Sequence, residues 1–383
     1  MNKFKLLILF FLILSYNSSY SQWAIMKSDA DSLVRVGIQY IYNVEFDRAH
    51  ECFVKIINFY PKHPAGYFLD AMIDWWKITL FRDTKIYDQS FENKIQNVIN
   101  ICDNLLYTNP KDINALFFKA GALGYRARFY TQKQDWFKAI KDGVSAYNLM
   151  IECQIIAPGN HDIMLGTGIY NYFSVAIPEQ FPFTKPLLTF FPKGDRQLGI
   201  YQLRASSKLA RYAAIEARVI LLQIYYTFEK DNDLAHSIAE ELFTKFPNNA
   251  YFHRYLARIL VRKGLYEEFE QMWRDILIKC MDKKPGYDRL TAREAMYYIG
   301  LALMRNGELN EALKYFKKSE EGSLILDKDE ESGFLINTII YIANIYERLN
   351  NKKEAINYYK KALKFKDYEN SHSKARESIK RLQ

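Results

Sequence analysis

Small and aromatic residues recur along this chain at fixed distances. Gly37, Tyr40, Ala49 and Pro61 stand in the same relation as Ala343, Tyr346, Ala355, Tyr359 and Ala362. In a two-helix unit of about 34 residues they occupy positions 8, 11, 20, 24, 27 and 32. Small residues at 8 and 20 let paired helices approach, aromatics at 11 and 24 fill the space between them, and proline at 32 ends the unit. A unit of this kind cannot bury its apolar face alone, so copies stack. The pattern predicts an all-α chain, an α-solenoid of about seven helical hairpins with a right-handed superhelix.

That spacing resembles the tetratricopeptide repeat, in the form found in exported bacterial proteins. The resemblance implies a groove that holds a protein or peptide, and hence a scaffold or adaptor rather than an enzyme.

Further copies keep the phase. Gln223, Tyr226, Ala235 and Pro247 form one unit; Ala257, Leu260 and Trp273 mark the next; Gly300, Ala312 and Phe316 a third, with Gly307 in its inter-helix turn. Residues around Lys283-Lys284-Pro285-Gly286 and Ser323 to Glu331 lengthen two connections. In the N-terminal half Pro61, Pro110 and Pro158 lie 49 and 48 residues apart, which predicts hairpins with longer arms. The chain therefore divides into 22–164, long-armed hairpins; 165–205, a segment without repeats; and 206–383, shorter repeats. Residues 1–21, with Lys3 and Lys5 before the apolar run Leu6 to Leu14 and Ser19-Tyr20-Ser21 before Gln22, read as a signal peptide. The expected location is the periplasm or the cell exterior. No later stretch is long and apolar enough to predict a transmembrane segment.

The formal charge of +9 loses only the two lysines of the leader. Acidic residues are mixed through the basic regions, which argues against a nucleic-acid partner. Cys52, Cys102, Cys153 and Cys280 have no metal-ligand spacing, and the first three recur before Pro61, Pro110 and Pro158, as small apolar residues between helices would. His50, His63, His161, His236, His253 and His372 are scattered. Neither a metal, a cofactor nor a catalytic constellation is expected.

The middle segment carries Gly166 and Gly168, then Pro178, Pro182, Pro186 and Pro192, then Gly194-Asp195-Arg196-Gln197-Leu198-Gly199. The prolines argue against a long helix, and the two glycines predict a tight turn with close helix packing rather than a nucleotide loop. Asp195 fits a helix N-cap, with Arg196 pairing nearby. A glycine, an aromatic, a proline after an apolar run and then G-D-R-x-x-G resembles the tetratricopeptide repeat family 39 and inclusion-body-clearance proteins of eukaryotes. That resemblance implies a link to protein and lipid homeostasis and brings no catalytic residues with it. Phe181, Phe183, Phe190 and Phe191 predict either a plug on the concave face or an apolar binding loop.

The first helix of each repeat turns positions 2, 5, 9, 12 and 13 to the groove. In 206–383 this selects Tyr251, Arg254, Arg258 and Arg262, then Tyr297 and Arg305, then Asn337, Asn344 and Arg348. Planar guanidiniums suit carboxylates, and the asparagines suit a peptide backbone. The expected partner is a protein or peptide with an acidic segment. The rival expectation is a carrier whose aromatic segment encloses a lipid or other apolar small molecule.

Overall fold

Pairs of antiparallel helices follow one another through the computed structural model, which describes residues 28–189 and 191–383. The expected signal peptide and Phe190 lie outside the described residues. No strand occurs among them, and no helix is long and apolar enough to cross a membrane. Two compact units result. The first runs to Trp76 and continues with Ile86–Lys230; the second joins Lys77–Lys85 to Asp231–Gln383.

The first unit holds α1 (Ser28–Tyr42), α2 (Phe46–Phe59), α3 (Pro64–Leu80, its last turn belonging to the second unit), α4 (Asp88–Thr108), α5 (Ile113–Gln132) and α6 (Trp136–Ile156). Then come α7 (Ile163–Gln180), a 3-10 turn at Pro182–Thr184, the single turn α8 (Lys185–Leu188), α9 (Arg196–Leu209) and α10 (Ala214–Gln223), which widens into a π turn, Ile224–Glu229. The second unit holds α11 (Asn232–Lys245), α12 (Ala250–Lys263), α13 (Tyr266–Met281), α14 (Arg289–Arg305), α15 (Leu309–Leu326), α16 (Gly333–Arg348), α17 (Lys352–Ala362) and α18 (Ser371–Leu382). Within the second unit each helix packs on the one before it.

Local chemistry sets the ends. Asp112, Asp135, Asp195, Asp231, Asn249, Asp288, Ser332 and Asn351 each accept a first-turn backbone N–H from α5, α6, α9, α11, α12, α14, α16 and α17. Gly264 and Gly307 turn the chain between paired helices at φ +71° and +85°. Inside the pairs, Ala257, Ala312, Ala343 and Ala355 are completely buried, as are the position-24 aromatics Trp273 and Phe316. A Cβ on Gly37 would stand 2.3 Å from the Phe53 ring, so position 8 of the first pair admits only glycine.

The middle segment corrects two expectations. Ile163–Gln180 is a full helix despite its prolines: Pro178 stands in the last turn, so the i→i−4 bond it removes falls at the helix end, and the other three lie in short or irregular stretches beyond it. Gly166 and Gly168 lie inside that helix and not in a turn. Their role is close approach: an added Cβ would meet Met150 at 2.8 Å from Gly166 and Leu203 at 2.9 Å from Gly168.

The G-D-R-x-x-G stretch seats α9 on α7. Gly194 leaves 2.0 Å to Ser174 Oγ and Gly199 leaves 2.6 Å to the Tyr172 backbone nitrogen, measured from where a Cβ would be. Asp195 caps α9 through Leu198 N at 3.0 Å, and Arg196 donates to Glu179 at 2.6 Å.

Candidate functional site

Two features stand out, one on the repeats of the second unit and one inside the first.

On the repeats, the residues selected for a groove separate into two sets. Arg254 is 2% exposed; it donates to Gly286 O at 2.8 Å and Thr291 Oγ1 at 3.2 Å. Arg258 grips the buried Glu294 with both ends of its fork, Nη2 reaching Oε2 at 2.6 Å and Nε reaching Oε1. Arg82 joins this knot, donating to Asp288 at 3.3 Å and Thr291 at 2.9 Å. Burial works against the Glu294 carboxylate, yet Arg258, Arg82 and Arg254 hold its pKa below the usual range. Arg254 and Arg258 therefore lock the unit internally, which corrects their assignment to an open groove. Tyr251 and Tyr297 are also buried, the latter among the rings of Tyr298, Phe316, Phe334 and Tyr341.

The position-13 arginines differ. Arg262, Arg305 and Arg348, from α12, α14 and α16, are exposed. Arg305 lies 4.0 Å above the Tyr266 ring, and Arg348 donates to Met304 O at 3.1 Å. These two reach back across a neighbouring repeat while their outer faces meet solvent. Asn337 and Asn344 are half-buried on α16, Asn344 donating to Ile340 O one turn earlier.

The second feature left no local sequence signal. A cavity of about 490 Å³ lies within the first unit, walled mainly by α1, α3, α5, α6, α7 and α10. α1 closes the ring against the segment leading into α10. Arg211 donates to Asp31 at 2.6 and 2.7 Å, and the Tyr212 hydroxyl donates to the same carboxylate. Asp162 accepts the backbone N–H groups of Arg211, Tyr212 and Ala213 at 3.2, 2.8 and 2.8 Å, fixing that segment. Deeper in, Glu216 accepts from Tyr42 at 2.9 Å and from Arg128 at 2.7 Å.

Small residues create the space. Gly124 faces Ala146 and Gly143 faces Ala127 at 3.9 and 4.0 Å from their would-be Cβ positions, bringing α5 and α6 together without side chains to fill the lumen. Most of the remaining wall is aliphatic or aromatic. A wall of this kind leaves apolar surface uncovered that an apolar occupant would bury.

The middle segment supplies a wall and part of the rim, not a plug that fills the lumen. Phe181 lines the cavity and packs on Trp136 at 5.0 Å, with Phe183 5.5 Å from the same indole and 58% exposed. Phe191 is half-buried.

Among the described residues no cluster of three His, Cys, Asp or Glu could hold a metal. All four cysteines are unpaired; burial raises the Cys102 and Cys153 thiols to about 12.

Residues 291–367 match the tetratricopeptide repeat family. That stretch is similar to tetratricopeptide repeats. The matched stretch starts two residues into α14 and contains α15, α16 and α17. Among solved structures, yeast Tom70 is 12% identical, with 93% of this chain and 89% of that one covered and a TM-score of 0.42. The Cut9 assembly with Hcn1 from the APC/C is 12% identical over 90% and 74%, also at 0.42. The human IFIT1 dimer with m7Gppp-AAAA is 15% identical over 83% and 68%, at 0.38.

Proposed function

We propose that the protein is an exported binding scaffold whose tetratricopeptide repeats hold an acidic segment of a protein partner. The observation that carries this reading is the row of exposed guanidiniums at one repeat position, Arg262, Arg305 and Arg348 on α12, α14 and α16. A guanidinium offers five donors in a plane, so a cation stacked on one ring or bonded to one carbonyl retains donors for a carboxylate. Repetition matters more than any single pair. One exposed ion pair contributes about 1 kcal/mol or less, whereas successive contacts along a preformed face add with little ordering cost.

Export is read from Lys3, Lys5 and Leu6 to Leu14, and it places the partner in the cell envelope or outside the cell. The function is binding rather than catalysis.

The test is capture from a native envelope extract with the parent protein and with Arg262→Glu/Arg305→Glu/Arg348→Glu, both with unchanged helical circular dichroism. A protein retained by the parent, released by salt and lost by the triple variant supports the scaffold. Equal retention by both defeats this face as the binding surface. Mass spectrometry of the chain purified from whole native cells and their medium should find its N-terminus at Gln22; a chain that keeps Met1 and stays inside the cell defeats export.

A further inference from the structure

We propose that the lumen of the first unit is a binding site for one neutral lipid-class molecule, a hydrocarbon chain ending in an alcohol or ester. This goes beyond the scaffold reading, because it uses a different unit and different residues.

Volume sets the size of the occupant. About 490 Å³ falls in the range of small-molecule sites, roughly 300–1,000 Å³.

Lining chemistry sets the class. The walls are dominated by groups such as Ile38, Phe68, Met72, Ile140 and Phe173, which offer a buried water few of the two to four polar partners it needs. The charged groups at the wall are already committed. Glu216 is held by Arg128 and Tyr42, and Asp162 by three backbone N–H groups. Arg128 also lies 4.8 Å above the Trp75 ring and 5.3 Å above Tyr125. A carboxylate or phosphate brought inside would face Glu216 as a like charge and compete with it for Arg128. An uncharged chain breaks nothing and covers apolar wall.

The rim suits the same class. Trp136, Phe181 and Phe183 form an aromatic cluster in which the first two face the lumen and the third faces solvent. Such a cluster offers apolar surface continuously from outside to inside.

Trp76 and Trp136 line the lumen, which supplies the probe. Bromine quenches indole emission only at contact. The protein, passed over hydrophobic resin, is titrated with 9,10-dibromostearyl alcohol and, separately, with 9,10-dibromostearic acid at pH 8. The expected result is saturable quenching at one alcohol per chain, with the acid at least about tenfold weaker. In Trp76→Phe/Trp136→Phe the quenching should fall to the level of unbrominated lipid, whereas Trp273→Phe, in the second unit, should leave the quenching and the one-alcohol mass of the parent unchanged. Absence of both quenching and added mass overturns the proposal. Quenching that persists in the double variant places the lipid elsewhere and overturns the site. Acid binding as tight as alcohol overturns the neutral class. A peptide retained through purification, and displaced by neither lipid, overturns the lipid itself.

Discussion

Arg211 and Asp31, 180 residues apart, form a two-pronged ion pair with Nε–Oδ1 at 2.6 Å and Nη2–Oδ2 at 2.7 Å. This contact fastens the first helix of the first unit to the lead-in of α10, so it decides whether the lumen is a closed ring or an open trough. The Arg211 hydrogen bond, aided by Tyr212 against burial, pulls the Asp31 carboxyl from 3.8 to about 2. Its folded pKa is thus depressed. The stability it supplies is complete above the ordinary carboxyl pKa and is lost as pH falls from about 4 towards 2. Asp31→Asn should lower the unfolding free energy from urea titration at pH 7 by about 1–2 kcal/mol, because the Arg211 side chain is half exposed. It should also flatten the loss of stability between pH 4 and 2. A midpoint equal to the parent's at both pH values would mean that the pair does not hold the ring.

Gly199 gives a sharper steric test. A Cβ there would meet the Tyr172 backbone nitrogen at 2.6 Å and Gly168 O at 2.9 Å, and backbone cannot swing away. Gly199→Ala should separate α7 from α9 and cost several kcal/mol, well beyond the ~1 kcal/mol scale of ordinary glycine effects. Gly307→Ala is the control. A Cβ there would meet nothing within 4 Å, so only the left-handed backbone at φ +85° resists the change, at a cost of about 1–2 kcal/mol. Urea melts of the two variants should rank in that order; equal losses would contradict the close approach.

What the sequence disclosed was local. Positions 8, 20 and 24 could be assigned because Gly300 and Phe316, or Ala343 and Tyr359, meet within one hairpin at a fixed separation. Arg254 and Arg258 were legible as one helical face, but not as bonded within the unit. Their partners Thr291 and Glu294 come from the next hairpin, and Arg82, which shares Thr291, comes from a segment more than 170 residues earlier. The lumen was invisible for the same reason. It depends on Asp31 meeting Arg211 and Tyr42 meeting Glu216, and on an absence of bulk at Gly124 and Gly143 that resembles ordinary helix packing. Pro178 misled because proline is disruptive inside a helix but tolerable in the last turn of α7.

His253 should make the second unit sensitive to mild acid. It is completely buried on α12. Nδ1 lies 3.0 Å from the Tyr287 hydroxyl, Nε2 lies 3.0 Å from Met272 Sδ, and the ring stacks on Phe243. Burial pushes its pKa from 6.5 down to about 3, helped by Lys279 and by Arg254 on its own helix, and opposed by Asp275. Between those values the unfolded chain binds a proton that the folded unit refuses. Stability therefore falls as pH drops below 6.5, down to about 3. In urea unfolding followed by the buried Trp273, the midpoint should decline between pH 7 and pH 5. His253→Gln should reduce that slope, whatever its own stability at pH 7. An identical slope in the variant would assign the acid sensitivity to other groups.

Arg258 and Arg305 are both arginines on the first helices of adjacent hairpins, yet charge reversal should separate them. Arg258→Glu would set a second carboxylate against Glu294, itself 1% exposed and otherwise facing Arg82 and Arg254. Removing one partner of a buried pair costs about 3–5 kcal/mol, and reversing its sign adds repulsion. That substitution reads out folding and cannot serve as a clean test of binding. Arg305→Glu loses a cation stacked 4.0 Å over Tyr266 at an exposed position, about 0.5–1 kcal/mol. Trp273 fluorescence in urea should show the second unit strongly destabilised by the first change and nearly unaffected by the second. Comparable stability in both variants would return Arg258 to the set of residues available to a partner.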